Sequence, residues 1–258
     1  WIFENIQRGC NKNELLETLL KEGFSKSQSK IALGLDLYED DLEEVKQSQE
    51  EAKEYSANNL IPAQRILNVS AEIYEVENFL SADECKNLID EIKGELRPST
   101  IATDGEFDST YRTSSTCDLG NKNNPFLQKI DKKISDFIVI DTGYGETLQG
   151  QHYLEKQEFK AHTDYFEGSQ LMEHDGGRGQ RTYTFMIYLN EVKQGGETEF
   201  TRLNKIFSPT PGKALIWNNL NEDGTPNENT MHQAHPVIKG EKTIITKWFR
   251  QKTLSQGR

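Results

Sequence analysis

The apolar positions of this chain change period near residue 60. Upstream the spacing is helical: "NELLETLLKEGF" sets Leu15, Leu16, Leu19 and Leu20 on one face, with Gly23 as the stop. "SKSQSKIALGL" and the acidic "YEDDLEEVKQSQEEAKEY" continue as helix with a thin apolar stripe, so their charges read as solvated faces. Residues 1–58 are therefore expected to form a helical N-terminal appendage, with "NNLIPAQ" as the linker and residues 59–258 as the main domain.

Downstream, "AEIYEVENF" alternates like a strand. Ser81 and Glu84 then make a capping box ahead of Leu88, Ile89 and Ile92, which predicts a helix, and "NNPFLQKIDKKISDFIVI" predicts a second. From about residue 147 the pattern turns to short strands: "TLQGQHYL", "EFKAHTDY", "RTYTFMIYLN", "TEFTRL", "KALIWN" and "KTIITKWFR". "KQGGE", "TPGK" and "NEDGTPNEN" supply turns between them. The expected class is mainly β with flanking helices (α+β), a β-sandwich or double-stranded barrel with two helices packed outside. No internal repeat and no GxGxxG motif is present, which speaks against nucleotide-binding α/β folds.

Charge sharpens the boundary more than the function. The net charge is −12, and residues 1–60 hold 13 acidic against 7 basic residues. An acidic chain argues against a nucleic-acid backbone as the main partner. No apolar run reaches the length of a membrane span, and the start lacks the basic-then-apolar form of a signal peptide. Cys10, Cys85 and Cys117 are odd in number and form no CxxC pair, which argues against a disulfide framework or zinc site. A cytoplasmic location is expected, with no membrane partner.

The chemistry concentrates in "FKAHTDYFEG". If that segment is a strand, His162 and Asp164 share a face, because side chains alternate with period two. A third ligand must come from "NTMHQAHPVIKGEK", as His232 or His235. Two histidines and a carboxylate leave coordination positions open, which suits a non-haem Fe(II) that binds a cosubstrate and O2. A zinc hydrolase could use the same ligands, but there is no HExxH and no obvious general base beside them. Lys242 opens an otherwise apolar strand, where a buried ammonium requires an anionic partner such as a dicarboxylate.

"QHYLEKQEFKAHTDY", "RTYTFMIYLNEVKQGGETEF", "PGKALIWNN" and "HQAHPVIKGEKTIITKWF", with the upstream "ENFLSADECKNLI" and "YRTSS", resemble the catalytic domain of the prolyl 4-hydroxylases. The likeness spans roughly residues 70–250 and leaves out residues 1–58. It implies a double-stranded β-helix (jelly-roll) core and an Fe(II)- and 2-oxoglutarate-dependent dioxygenase. Such an enzyme hydroxylates prolyl residues in a peptide or protein with O2, releases succinate and CO2, and uses ascorbate as reductant.

Residue by residue, the resemblance gives His162, Asp164 and His232 to iron, and Lys242 to the distal carboxylate of 2-oxoglutarate. It places Tyr153 and Thr184 in the cosubstrate pocket. Arg181, Trp248 and Glu146 fall at peptide-contacting positions, and Arg112 falls in a mobile loop that closes over substrate. His235 stands where the family commonly has cysteine, and Phe159 where it often has tyrosine. His152 and His174 are expected on the surface or in loops. Two alternatives stand beside this reading: a dioxygenase of another amino acid or small molecule, and a non-catalytic jelly-roll binding module. Lys242 favours the prolyl over the lysyl hydroxylases, which typically carry arginine there.

Overall fold

The structure is a computed structural model that describes residues 5, 8–21, 26–35, 38, 63–66, 70–99, 110–120, 123–174 and 176–253. The chain divides into two compact units, Trp1–Leu60 and Ile61–Arg258. In the first, helices α1 (Lys12–Lys21) and α2 (Lys26–Leu33) pair through Leu15, Leu19 and Leu33. Residues 39–55 of the helix expected over 38–55, and residues 58–62 of the expected linker, lie outside the described residues. Ala63 and Gln64, expected as linker, instead open strand β1 (Ala63–Arg65). Their ladder comes from pairing with β2 (Ile73–Val76), a partner that local pattern does not reveal.

The second unit is two facing antiparallel sheets with helices outside. The large sheet adds β3 (Arg97–Pro98), β4 (Ser115–Asp118), β5 (Gln149–Tyr153), β7 (Arg181–Tyr188), β11 (Ala214–Asn218) and β14 (Lys242–Arg250), in the order β1-β2-β11-β7-β14-β5-β4-β3. The small sheet runs β10-β9-β12-β6, from β6 (Phe159–His162), β9 (Thr198–Phe200), β10 (Lys205–Phe207) and β12 (His232–Ala234). A short pair joins β8 (Gln194–Gly195) to β13 (Val237–Lys239).

Period two decides which side chains enter which core. On β7, Phe185 and Ile187 pack with the helices, while Met186 and Tyr188 fill the space between the sheets. β14 is buried along its whole length because it is covered on both faces. Its Ile245 and Phe249 face the helices; Ile244 faces the second sheet, and with it the even-numbered positions from Lys242 to Arg250.

Helices α3 (Ala82–Lys93) and α4 (Pro125–Ile138) cover the outer face through Leu88, Ile92, Ile130 and Ile134. The Ser81–Glu84 capping box is formed, and Asn124 caps α4 ahead of Pro125. His152 corrects an expectation: it is buried on β5, with Nδ1 3.1 Å from Thr243 Oγ1 and Nε2 3.5 Å from Glu241. Its strand partner Thr243 belongs to β14, so enclosure comes from sheet pairing and not from local polarity. His174 is exposed on the short helix α5 (Gln170–His174), as expected. All three cysteines are free, and no helix among the described residues is long and apolar enough to cross a membrane.

Candidate active site

Antiparallel pairing of β6 with β12 sets His162 directly opposite His232. β6 ends at His162, so Asp164 does not sit on the strand; it lies in the bend that follows and turns its carboxylate back. His162 Nε2 is 3.9 Å from Asp164 Oδ1, His232 Nε2 is 3.9 Å from Asp164 Oδ2, and the ligand atoms of the three residues all lie within 4.8 Å of one another. His235 turns away and bonds Glu199 at 2.8 Å. His235 lies one residue past the end of β12 and outside the segment that pairs with β6.

The donor set fits a divalent metal. His162 Nδ1 is 2.8 Å from the Lys160 carbonyl, and His232 Nδ1 is 2.9 Å from the Thr230 carbonyl. A carbonyl only accepts, so each Nδ1 carries the proton and each Nε2 keeps its lone pair toward the cluster. Burial, then the neighbouring His232, pushes the His162 pKa down to about 3, which keeps its ring neutral. Burial pushes Asp164 upward, but His232, His162, Arg181 and the Thr184 bond together hold it below the ordinary carboxylate value. The Phe159 ring stacks on His162 with centroids 3.5 Å apart and planes at 13°, and the Arg112 guanidinium lies 4.8 Å from the same ring.

The cluster opens into a cavity of about 1100 Å³ between the sheets. Lys242 lines it from β14, is 1% exposed, and its Nζ meets no hydrogen-bond acceptor among the described residues. The rings of Tyr153 and Tyr188 flank the ammonium at 5.3 and 5.5 Å. Burial pushes the Lys242 pKa down to about 7, against the opposing pull of Glu197. A buried cation without an acceptor, in the same cavity as a two-histidine, one-carboxylate cluster, fits an anionic cosubstrate that reaches both.

The chain matches the 2OG-Fe(II) oxygenase superfamily over residues 148–250. It is 32% identical over 206 residues to "Probable prolyl 4-hydroxylase 3" of Arabidopsis thaliana, covering 71% of each chain. The chain belongs to the prolyl 4-hydroxylase family. It is an Fe(II)- and 2-oxoglutarate-dependent dioxygenase. Its fold is that of the viral collagen prolyl hydroxylase from Paramecium bursaria Chlorella virus-1, solved with 2OG, with a TM-score of 0.56, 24% identity and coverage of 69% of this chain and 95% of that one. The prolyl hydroxylase from Trichoplax adhaerens, solved with a hypoxia inducible factor peptide fragment, aligns with a TM-score of 0.53 at 16% identity over 80% of this chain and 91% of that one. The two sheets are therefore the jelly-roll core.

The other residues of this family member divide by position. Arg181 chelates Glu146 through Nε and Nη2 at 2.8 and 2.7 Å, and Arg250 adds a third bond at 3.0 Å. Arg181 also lies 4.2 Å over the Trp248 ring, and all four line the cavity. Glu146 is thereby committed to two guanidiniums. Arg112 lines the cavity too, but it is bridged to Phe159 and donates to Gln149 at 3.0 Å; residues 101–109 before it are outside the described set. Tyr153 lines the cavity and donates to Gln151 at 2.9 Å. Thr184, expected in the cosubstrate pocket, is fully buried and donates to Asp164 at 2.8 Å, one layer outside the residues that line the cavity.

Sequence reasoning missed Gln151, Thr246 and Trp217, which also line the cavity. The first two were within reach. They share strand parity with Tyr153 and Lys242, and Gln151 donates to Thr246 at 3.2 Å. Trp217, whose ring centroid is 4.8 Å from that of His232, carried no local signal.

Proposed function

We propose that this protein hydroxylates carbon 4 of prolyl residues in a peptide or protein, with His162, Asp164 and His232 as the iron ligands and Lys242 as the anchor of the distal 2-oxoglutarate carboxylate. The observation that carries the reading is the pairing of a two-histidine, one-carboxylate cluster with an orphaned buried lysine in one cavity. The names of its relatives point the same way.

When bound, Fe(II) and 2-oxoglutarate supply the oxidation that O2 drives, with succinate and CO2 released. The chain's own residues bind, orient and exclude water. The two imidazoles keep Nε2 unprotonated through their carbonyl partners. Lys242 neutralises one end of the cosubstrate by a charge-assisted bond and so sets its direction toward the cluster. Arg181, flattened on Trp248 and fixed by Glu146, together with Arg112 above Phe159, offers a rigid polar wall for the backbone of an extended peptide. No charge on this wall has to move for a neutral prolyl ring to be admitted.

The test is incubation with Fe(II), ascorbate, 2-oxoglutarate and a panel of proline-containing peptides, each with a lysine-for-proline counterpart. The expected product gains one oxygen on proline, with succinate formed in equal amount. Oxygen gained only on the lysyl peptides would overturn the substrate assignment, and succinate production unaffected by His162→Ala, Asp164→Ala or His232→Ala would overturn the ligand assignment.

A further inference from the structure

Two of the three clustered ligands are oriented by strand pairing and backbone carbonyls, but Asp164 stands in a bend beyond β6 with no ladder to fix it. Its carboxylate is held instead by a side-chain relay from the large sheet. Thr184 Oγ1 donates to Asp164 Oδ2 at 2.8 Å, and Asn219 Nδ2 donates to Thr184 Oγ1 at 2.9 Å. Thr184 lies on β7 and Asn219 just after β11; both are 0% exposed. The register between these strands pairs Trp217 with Thr184, and Asn219 N–H donates to the Thr182 carbonyl at 2.7 Å. The relay is therefore mounted on fully buried residues of the large sheet and its margin.

Proton counting gives the relay a direction. An ionised carboxylate only accepts, so the single Thr184 hydroxyl proton is spent on Asp164. The Thr184 oxygen must then receive a donor, and only the NH2 side of the Asn219 amide supplies one. That orientation leaves Asn219 Oδ1 buried with no partner among the described residues. Such an orphan is unfavourable by itself and persists where the surrounding contacts dictate it. With Oδ2 tied to Thr184, Oδ1 accepts no hydrogen bond from the described residues and keeps its lone pairs for the cluster.

We propose that Thr184 and Asn219 are positioning residues that present the Asp164 carboxylate to the ferrous ion, and that Thr184 does not contact 2-oxoglutarate. This rests on the metal reading of the site given above. Outer partners of metal ligands commonly change metal affinity by 10–100-fold when removed, although they never touch the ion.

The test is anaerobic calorimetric titration of the full chain with Fe(II), repeated with Co(II) as an oxygen-stable probe. Thr184→Val keeps the shape and removes the hydroxyl; its metal Kd is expected to rise about tenfold. Thr184→Ser restores the donor and is expected to return the affinity close to that of the wild type. The Kd for 2-oxoglutarate at saturating metal is expected to stay unchanged in both. Asn219→Ala is expected to weaken metal binding by less than Thr184→Val, and it decides the matter if the valine variant fails to fold, as judged by thermal melting of the metal-free proteins. Wild-type metal affinity in Thr184→Val would overturn the proposal. So would a loss of 2-oxoglutarate affinity with metal affinity intact, which would return Thr184 to the cosubstrate pocket. Failure of the wild-type chain to bind either metal would instead overturn the metal reading, and this inference with it.

Discussion

Lys242 is the residue whose surroundings are most out of balance. Its ammonium is enclosed by aromatic rings and strand backbone, with no acceptor in hydrogen-bond reach among the described residues. Burial pushes its pKa down to about 7 from an ordinary value of 10.5. Between those values the unfolded chain holds the extra proton, so this group's contribution to stability is fully present above the unfolded value and is lost as pH falls toward 7. A bound dicarboxylate restores the charge. Binding of 2-oxoglutarate at about pH 8.5 is therefore expected to take up close to one proton, and at about pH 6 almost none. Calorimetry in buffers of different ionisation enthalpy reads this directly, and Lys242→Met should abolish the uptake. Phe159 makes a second residue-level case. Its stacked contact with His162 predicts that Phe159→Leu weakens Co(II) binding by roughly three- to tenfold, an aromatic pair being worth about 0.5–1.5 kcal/mol. Phe159→Tyr keeps the ring and should bind Co(II) like the wild type in the same titration.

At the scale of elements, β14 does two jobs through one alternation. Its even positions from Lys242 to Arg250 furnish the cavity, and its odd positions seal against the helices, with Lys247 paired to Asp131 of α4. β5 repeats the device, with Gln149, Gln151 and Tyr153 toward the cavity and Gly150 under α3. A Cβ on Gly150 would stand 2.5 Å from Ile92 Cγ1 and 2.9 Å from Cys117 Sγ, so the helix has no room to stay where it is. Gly150→Ala is expected to destabilise the protein by about 1–3 kcal/mol through overpacking, seen as a lower Tm in thermal melting. Strand parity and the capping box at Ser81 were both legible in the sequence. The end of β6 was not. Period two continues through "AHTD", but pairing with β12 stops at His162, and only the partner strand shows that.

For the molecule as a whole, the site lies between two sheets of Ile61–Arg258, and every residue assigned to it belongs to that unit. The division proposed from the change of period makes residues 1–58 an appendage with its own small leucine core. A chain starting at residue 59 is expected to retain the kcat of the full chain in the succinate assay; a loss of more than about tenfold, over 1.4 kcal/mol of barrier, would tie the helical segment to catalysis.

The sequence by itself determined the two periods, the strand-rich body with two helices, one of them opened by a capping box, and a set of candidates: His162, Asp164, Lys242, and His232 or His235 as the remaining ligand. These are local properties: periodicity, caps and residue chemistry act over a few positions. Tertiary structure shows which histidine joins the cluster: pairing of β6 with β12 brings His232 to face His162, while His235 bonds Glu199. It moved Asp164 off the strand, enclosed His152 and hydrogen-bonded Thr184 to the Asp164 carboxylate. Each of those outcomes depends on a neighbour between 20 and 91 residues away in the chain. Contacts at that separation are fixed by which strands pair and which faces they bury, and no local pattern carries that information.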